Sequence, residues 1–335
     1  MIRGNRRARQ PVRDVWTRER LVHERAVALG NVIDRSTLSN YSSALNSYLN
    51  FVKLHDLPVE PTPETLSFYT VYMSHHINPR SVNTYLSGIS QQLETHFPAV
   101  KEARNSTLVR RTWQGCMRMR GTATIRKRAL TTDDLRLVIN HYRNSTLHDD
   151  LLFVAMLVTG FFGLLRLGEM TFPDEPSLQN WKKVTRRNTV GIRDHVYEFT
   201  LPGHKADRYF EGNKIIIPAN RFNITPLRHF VTYINSRDTL HPVASPLWLT
   251  AGGKIPTRSF FITRLRLFFN GDVAGQSMRA GGATALAEHG VSPAIIQASG
   301  RWASEAFLVY IRKNPTLLQG FLYASASSSS SSPPA

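Results

Sequence analysis

The longest apolar run of the chain, Leu151 to Leu165, narrows what the chain can fold into. A helix that is apolar on every side must be enclosed by other elements or by lipid. Crossing a bilayer takes about 20 apolar residues, and this run falls short of that. Asp149, Asp150 and Arg166 flank it, so it reads as a buried helix of a globular domain. A chain of 335 residues suits two such domains, each large enough to bury its own core.

Upstream of the run the periodicity is helical. Leu38, Tyr41, Leu45, Tyr48, Leu49 and Val52 follow helical spacing after a Ser/Thr start. Pro61 and Pro63 open the segment PTPETLSFYTVYMSHH, SVNTYLSGISQQLETHF predicts a third helix, and a fourth covers Thr107 to Met119. Residues 32–119 are thus expected to be a small helical domain, preceded by a basic arm over 1–31. The arm carries Arg3, Arg6, Arg7, Arg9, Arg13, Arg18 and Arg20. It reads as a flexible arm or a frayed helix, and phosphate contact and a plain solvated tail both stay open for it.

A basic stretch with little periodicity, residues 120–129, is expected to link the two domains. Arg118, Arg120, Arg126, Lys127 and Arg128 cluster in and beside it. They are candidate DNA contacts, with a solvated connector as the alternative. The second domain, 130–323, begins with helices over 132–145 and 148–166, Thr131 or Thr132 capping the first. Tyr197, Phe199 and Leu201 then alternate with polar residues, and KIIIP follows Gly212 and Asn213, which predicts a hairpin with HKADRYFEGN near its tip. Helices return at about 225–235, 257–269, 277–289, 292–299 and 304–313. The Ser-rich end, 324–335, reads as disordered. The expected fold is mainly α with a small β-sheet.

The charge points to the partner. Lys and Arg outnumber Asp and Glu by 42 to 24, a formal net charge of +18. Such an excess favours an anionic partner, nucleic acid first. Cys116 is the single cysteine, so no disulfide framework or thiolate zinc site can form within the chain. The histidines are scattered, with no HxxxH or HxH pair beside acidic ligands, which argues against a metal site. The N-terminal MIRGNRRARQPVRD has no apolar core of the kind a secretory signal needs. No cofactor and no membrane association are expected.

Three clusters are candidates for chemistry. Arg166 and Glu169 lie three residues apart at the end of the apolar run, so that a carboxylate can hold a guanidinium fork. Taken alone, the pair is an ordinary intrahelical ion pair. Lys205 sits in the hairpin segment LPGHKADRY, where a lysine can reach DNA or donate a proton to a leaving oxygen. The third cluster runs from Gln276 through Arg279, a Gly-Gly pair and Gly300-Arg301-Trp302 to Tyr310-Ile311-Arg312. Tyr310 alone is as well explained as a half-buried core residue.

In chain order these are Arg-x-x-Glu, a hairpin Lys, Gln-x-x-Arg, Gly-Arg-Trp and Tyr. That order resembles the tyrosine recombinase (integrase) family, and the Cre-like members in its last cluster. The likeness extends over roughly residues 32–323, since the helical domain resembles the family's core-binding domain. The segments Arg-Ala-Gly-Gly-Ala-Thr-Ala and Gly-Arg-Trp are similar to the recombinases of Crypton-type mobile elements. The resemblance implies that Arg166 and Arg279 grip the non-bridging oxygens of the scissile phosphate and that Glu169 orients the site. It implies Lys205 as the general acid on the leaving 5′-oxygen and Tyr310 as the nucleophile that forms a 3′-phosphotyrosyl bond. Such an intermediate conserves the phosphoester, so religation needs neither metal nor ATP.

Two departures from the family pattern matter. Gln276 stands where the family usually has His, and an amide cannot exchange a proton near neutral pH. Arg301 falls in the family's His/Trp slot, with Trp302 one residue on, and the sequence does not choose between them. The implied activity is site-specific recombination or transposition on double-stranded DNA, with a homo-oligomeric, tetrameric synapse. A catalytically impaired, domesticated DNA-binding protein is the main alternative, and a topoisomerase-like relaxing enzyme a third. The implied location is the nucleus in a eukaryotic host and the cytoplasm otherwise.

Overall fold

The computed structural model describes residues 14–30, 32–123, 125–202, 212–304 and 308. It forms two compact units, Met1–Thr124 and Ile125–Ala335.

The first unit is helical. Helix α1 (Arg18–Gly30) buries no residue. The core lies among α2 (Arg35–Leu54), α3 (Pro63–His76), α4 (Pro79–Leu93), α5 (Val100–Asn105) and α6 (Thr107–Arg120). Caps fix their starts, because the first backbone N–H groups of a helix have no partner within it. Asp34, Thr62, Asn78 and Ser106 each accept a backbone N–H in the first turn of α2, α3, α4 and α6. Tyr48, Phe51, Leu66, Tyr69, Val82, Leu86, Ile89 and Val109 form the core. Gly88 lets α4 close on α2, since a Cβ there would stand 2.9 Å from Tyr41 and 3.0 Å from Ala44.

The second unit opens with residues paired to a distant segment. Arg128 N donates to Asp272 O at 2.8 Å and Leu130 N to Ser277 O at 3.1 Å. A capping box between Thr131 and Asp134 starts α7 (Thr132–His141). Next comes α8 (His148–Phe162), the apolar run of the sequence, with every residue from Leu152 to Phe161 buried. The core of the unit gathers around it.

Helix α8 stops at Phe162, short of the expected 166. Leu164 takes a left-handed φ of 50°. Leu165 N then reaches Gly160 O at 2.9 Å, and Leu164 N reaches Phe161 O at 3.3 Å. This is a Schellman ending with leucine where glycine is usual. Arg166 therefore lies beyond the helix, ahead of a short 3-10 turn, Leu167–Glu169.

Strands β1 (Gly191–Arg193), β2 (Val196–Leu201) and β3 (Asn213–Pro218) form one antiparallel sheet in that order. Tyr197 pairs with Ile217 and Phe199 with Ile215, and all four are buried. They face α9 (Pro226–Leu240), where Phe230 stacks on Tyr197 at 4.2 Å between ring centroids. Then come α10 (Arg258–Leu265), α11 (Gly275–Glu288) and α12 (Pro293–Gly300). Gly281 and Gly282 let α11 lie against Leu130 and Phe161, because a Cβ at either would collide with the carbonyl oxygen it faces. The fold is mainly helical with one small antiparallel sheet.

Candidate active site

The ends of α8 and α12 meet at the site. Helix α12 also ends in a Schellman turn: Arg301 has φ 56°, Arg301 N donates to Ala298 O at 3.0 Å, and Trp302 N donates to Gln297 O at 3.1 Å. Each helix end presents carbonyl groups that its own turn leaves unsatisfied, with partial negative charge. Guanidinium groups fill the space between them.

Arg279, on the second turn of α11 and 4% exposed, donates from Nη1 to Leu164 O at 2.6 Å and from Nη2 to Gly300 O. It thereby ties the end of α8 to the end of α12. The Trp302 ring lies over its guanidinium, 4.1 Å from the Arg279 Cζ to the ring centroid. Arg301 turns inward. Its Nη1 donates to Gly163 O at 3.3 Å and Ser299 O at 3.1 Å, and its Nη2 to Leu164 O at 3.0 Å and Glu169 Oε2 at 3.3 Å.

Glu169 joins Arg301 to Arg166. Its Oε1 accepts from Arg166 Nη1 at 3.0 Å and its Oε2 from the Arg166 backbone N at 2.9 Å. The carboxylate therefore holds both the backbone and the side chain of Arg166. The cluster sets the guanidinium groups of Arg166, Arg279 and Arg301 against the one carboxylate of Glu169, an excess of positive charge. Burial pushes the Arg301 guanidinium down from its ordinary value and the charge of Arg166 adds to this, while Glu169 opposes it. The Arg166 side chain, 33% exposed, is the most open of the three. An anion such as a phosphodiester would complete the charge balance.

Five of the sequence candidates are thus brought together: Arg166, Glu169, Arg279, Arg301 and Trp302. Gln276, itself exposed on the otherwise buried first turn of α11, makes no hydrogen bond to these five among the described residues. Lys205 and Tyr310 lie outside the described residues. Sequence reasoning missed the two left-handed turns at Leu164 and Arg301 and the carbonyl groups they offer. An arginine and a leucine at such positions leave no compositional sign.

The basic stretch over 118–128 divides in two. Lys127 Nζ donates to Gly271 O at 2.6 Å, and Arg128 reaches Asp134 at 2.5 Å and Asp272 at 3.0 Å. In the first unit Arg120 bonds His75 at 2.9 Å. Arg118 and Arg126 are exposed, with no hydrogen bond or ion pair among the described residues. Arg118 shares the outer face of α6 with Thr107, Arg111 and Gln114, all exposed, opposite the buried Val109 and Cys116. No group of metal-ligating residues occurs among the described residues, and none of their helices is long and apolar enough to cross a membrane.

No family model and no curated protein matches the sequence. Solved structures do match the fold. The Tn1549 transposon integrase in complex with circular intermediate DNA aligns with a TM-score of 0.58 at 14% identity, covering 91% of this chain and 98% of that one. A lambda integrase dimer bound to a COC′ core site aligns at 0.53 and 14% identity, covering 89% of this chain and 75% of that one. The chain has the fold of the tyrosine recombinases.

Proposed function

We propose that the chain is a site-specific DNA recombinase or transposase that cuts and rejoins strands through a phosphotyrosyl intermediate on Tyr310. The observation that carries this is the convergence of Arg166, Glu169 and Arg279 on the ends of α8 and α12, within a recombinase fold. In-line attack on a phosphodiester builds negative charge on the non-bridging oxygens. Preorganised guanidinium groups stabilise that charge without reorganising during the reaction. Arg166 and Arg279 take this role, and Glu169 holds Arg166.

The Tyr310 hydroxyl releases its proton to solvent as its oxygen attacks phosphorus, and the 5′-oxygen leaves, taking a proton from Lys205. The freed 5′-hydroxyl of a second strand then reverses the step on the phosphotyrosine. The roles of Lys205 and Tyr310 rest on the family resemblance. A tetrameric synapse on paired sites and a Crypton-like origin with nuclear action belong to the same reading, as does phosphate contact by the basic residues around 118–128.

The second reading is a DNA-binding module of the same fold that has lost catalysis. Gln276, exposed and unable to move a proton, favours it. A duplex nicked next to the cleaved linkage traps the covalent step. Wild-type protein is expected to accumulate a DNA adduct that Tyr310→Phe abolishes. Tight binding without adduct rejects the enzyme in favour of the module.

A further inference from the structure

In the resemblance, a single residue directly after Gly300 would touch the phosphate, and this chain offers Arg301 or Trp302. The geometry points to neither as a phosphate ligand. We propose that Arg301 is a positioning residue that locks Glu169 to the ends of α8 and α12, and that Trp302 holds the Arg279 guanidinium. This rests on the recombinase reading and deepens it.

The backbone argues first. The left-handed position that ends a Schellman turn is normally glycine, and a side chain there is strained. Arg301 occupies it at φ 56°, so its side chain has to be accounted for. Across the junction Leu164 is left-handed too, and its carbonyl is the acceptor that Arg301 and Arg279 share.

The hydrogen bonds argue next. The terminal nitrogens of Arg301 carry four N–H groups in all. They meet the carbonyls of Gly163, Leu164 and Ser299 and the Glu169 carboxylate. Its side chain is 7% exposed, and its Nε is buried without a partner among the described residues. All four of its terminal N–H groups are thus taken up inside the protein. What it grips, however, is what holds the phosphate-binding arginines. Glu169 fixes Arg166, and the Leu164 carbonyl fixes Arg279.

The turn then divides the work between adjacent residues. It sends Arg301 inward and lays the Trp302 ring on Arg279 at 4.1 Å. A cation over an aromatic face is held there electrostatically. Arg279 is thus fixed by two carbonyls in its plane and by a ring against its face.

The test compares a target duplex with one carrying a neutral methylphosphonate at the cleaved linkage. A residue that acts only through the phosphate-binding arginines can matter no more on the neutral linkage than they do. Arg301→Lys, with folding verified by its melting temperature, is expected to lower the adduct rate about 100-fold, as displacement of reacting groups does. DNA affinity should be unchanged and the loss should shrink on the methylphosphonate. Arg279→Lys should lose much less on the methylphosphonate.

In a double-mutant cycle, Arg301→Lys should add nothing to Glu169→Gln, because the two act as one unit. An undiminished loss of Arg301→Lys on the methylphosphonate overturns the proposal, as does full additivity with Glu169→Gln or a wild-type adduct rate. Binding alone supplies a readout independent of chemistry. The affinity difference between the two duplexes should shrink in Arg279→Lys and persist in Arg301→Lys, and its loss in the latter also overturns the proposal. If wild-type protein binds without forming adduct, the enzyme reading fails, and the binding comparison still decides the role of Arg301.

Discussion

The second unit holds two knots of buried arginine built on the same plan, and only one of them looks like a site. In the first, Arg237 is fully buried on α9, donating to His241 O at 3.0 Å, Pro246 O at 2.8 Å and Ala244 O. Asp238 accepts from Arg237 and from Arg187, each at 2.7 Å. In the second, Arg279 and Arg301 likewise donate to helix-end carbonyls, and Glu169 joins Arg301 to Arg166. Carbonyl cages and bridging carboxylates are thus no mark of function. The difference lies in charge. The first knot sets two guanidinium groups against one carboxylate. The second sets three against one, and its outer arginine, Arg166, is about as open as Arg187 of the first, 33% against 29% exposed.

Substituting the corresponding residues gives the largest expected contrast. Arg279→Lys keeps the charge but cannot span Leu164 O and Gly300 O with a planar fork. The adduct rate should fall about 10²–10³-fold, as on removing one preorganised donor to a transition-state anion. Arg237→Ala should instead lower stability by at least about 3 kcal/mol, read by denaturant unfolding, since it removes a fully buried guanidinium and strands three carbonyl oxygens at about 1–3 kcal/mol each. Adduct formation per folded molecule should stay at the wild-type level. Equal kinetic losses in both variants would erase the distinction between the knots.

Acid should affect the Arg237 knot in a defined direction. Burial raises the Asp238 carboxyl, but hydrogen bonds from Arg187 and Arg237 outweigh this and leave it below its ordinary value. A depressed carboxylate stabilises the fold above its unfolded value, about 3.9, and that stability is lost as pH falls through the folded value. The acid limb of a stability–pH curve should therefore flatten below about pH 4 in Asp238→Asn. An unchanged limb would remove Asp238 from the account.

Why one knot was visible in the sequence and the other was not follows from what carries each. Arg166, Glu169 and Arg279 recur in an order that a known family shares, whereas Arg237 is an arginine in a helix with no pattern around it. The apolar run located α8, but not its end. Residues 163–165 stay apolar after the helix has stopped, because Leu164 and Leu165 remain buried in the turn. The pairing of Arg166 with Glu169 holds, through a 3-10 turn rather than a helix. Alternation revealed β2 through Tyr197, Phe199 and Leu201, and KIIIP after Gly212 and Asn213 revealed β3, while β1 is too short to alternate. Nor does sequence spacing choose between Arg301 and Trp302, since the left-handed turn decides where each side chain points.

The exposed arginines give a third arrangement, and salt separates it from both knots. Each phosphate neutralised steepens the fall of log affinity with log salt by about 0.9. Arg118→Ala should weaken binding across sequences and lower that slope by about 1. Arg128→Ala should change it less, because its guanidinium is already matched by Asp134 and Asp272. Equal slope changes would mean that those internal ion pairs open on DNA.

The smallest effect concerns what Arg128 is anchored to. Asp134 is both the ion-pair partner of Arg128 and half of the capping box that starts α7. Thr131 supplies the other half, its Oγ1 accepting from Asp134 N at 3.1 Å while Asp134 Oδ2 accepts from Thr131 N at 2.8 Å. Thr131→Ala should cost about 1 kcal/mol in chemical unfolding, the usual loss for such a cap. Its effect on the salt slope is the more telling readout. If Arg128 is held by the helix start, loosening the cap frees its charge, and the slope should steepen towards one more phosphate contact. If Asp272 alone suffices to hold Arg128, the slope should not move.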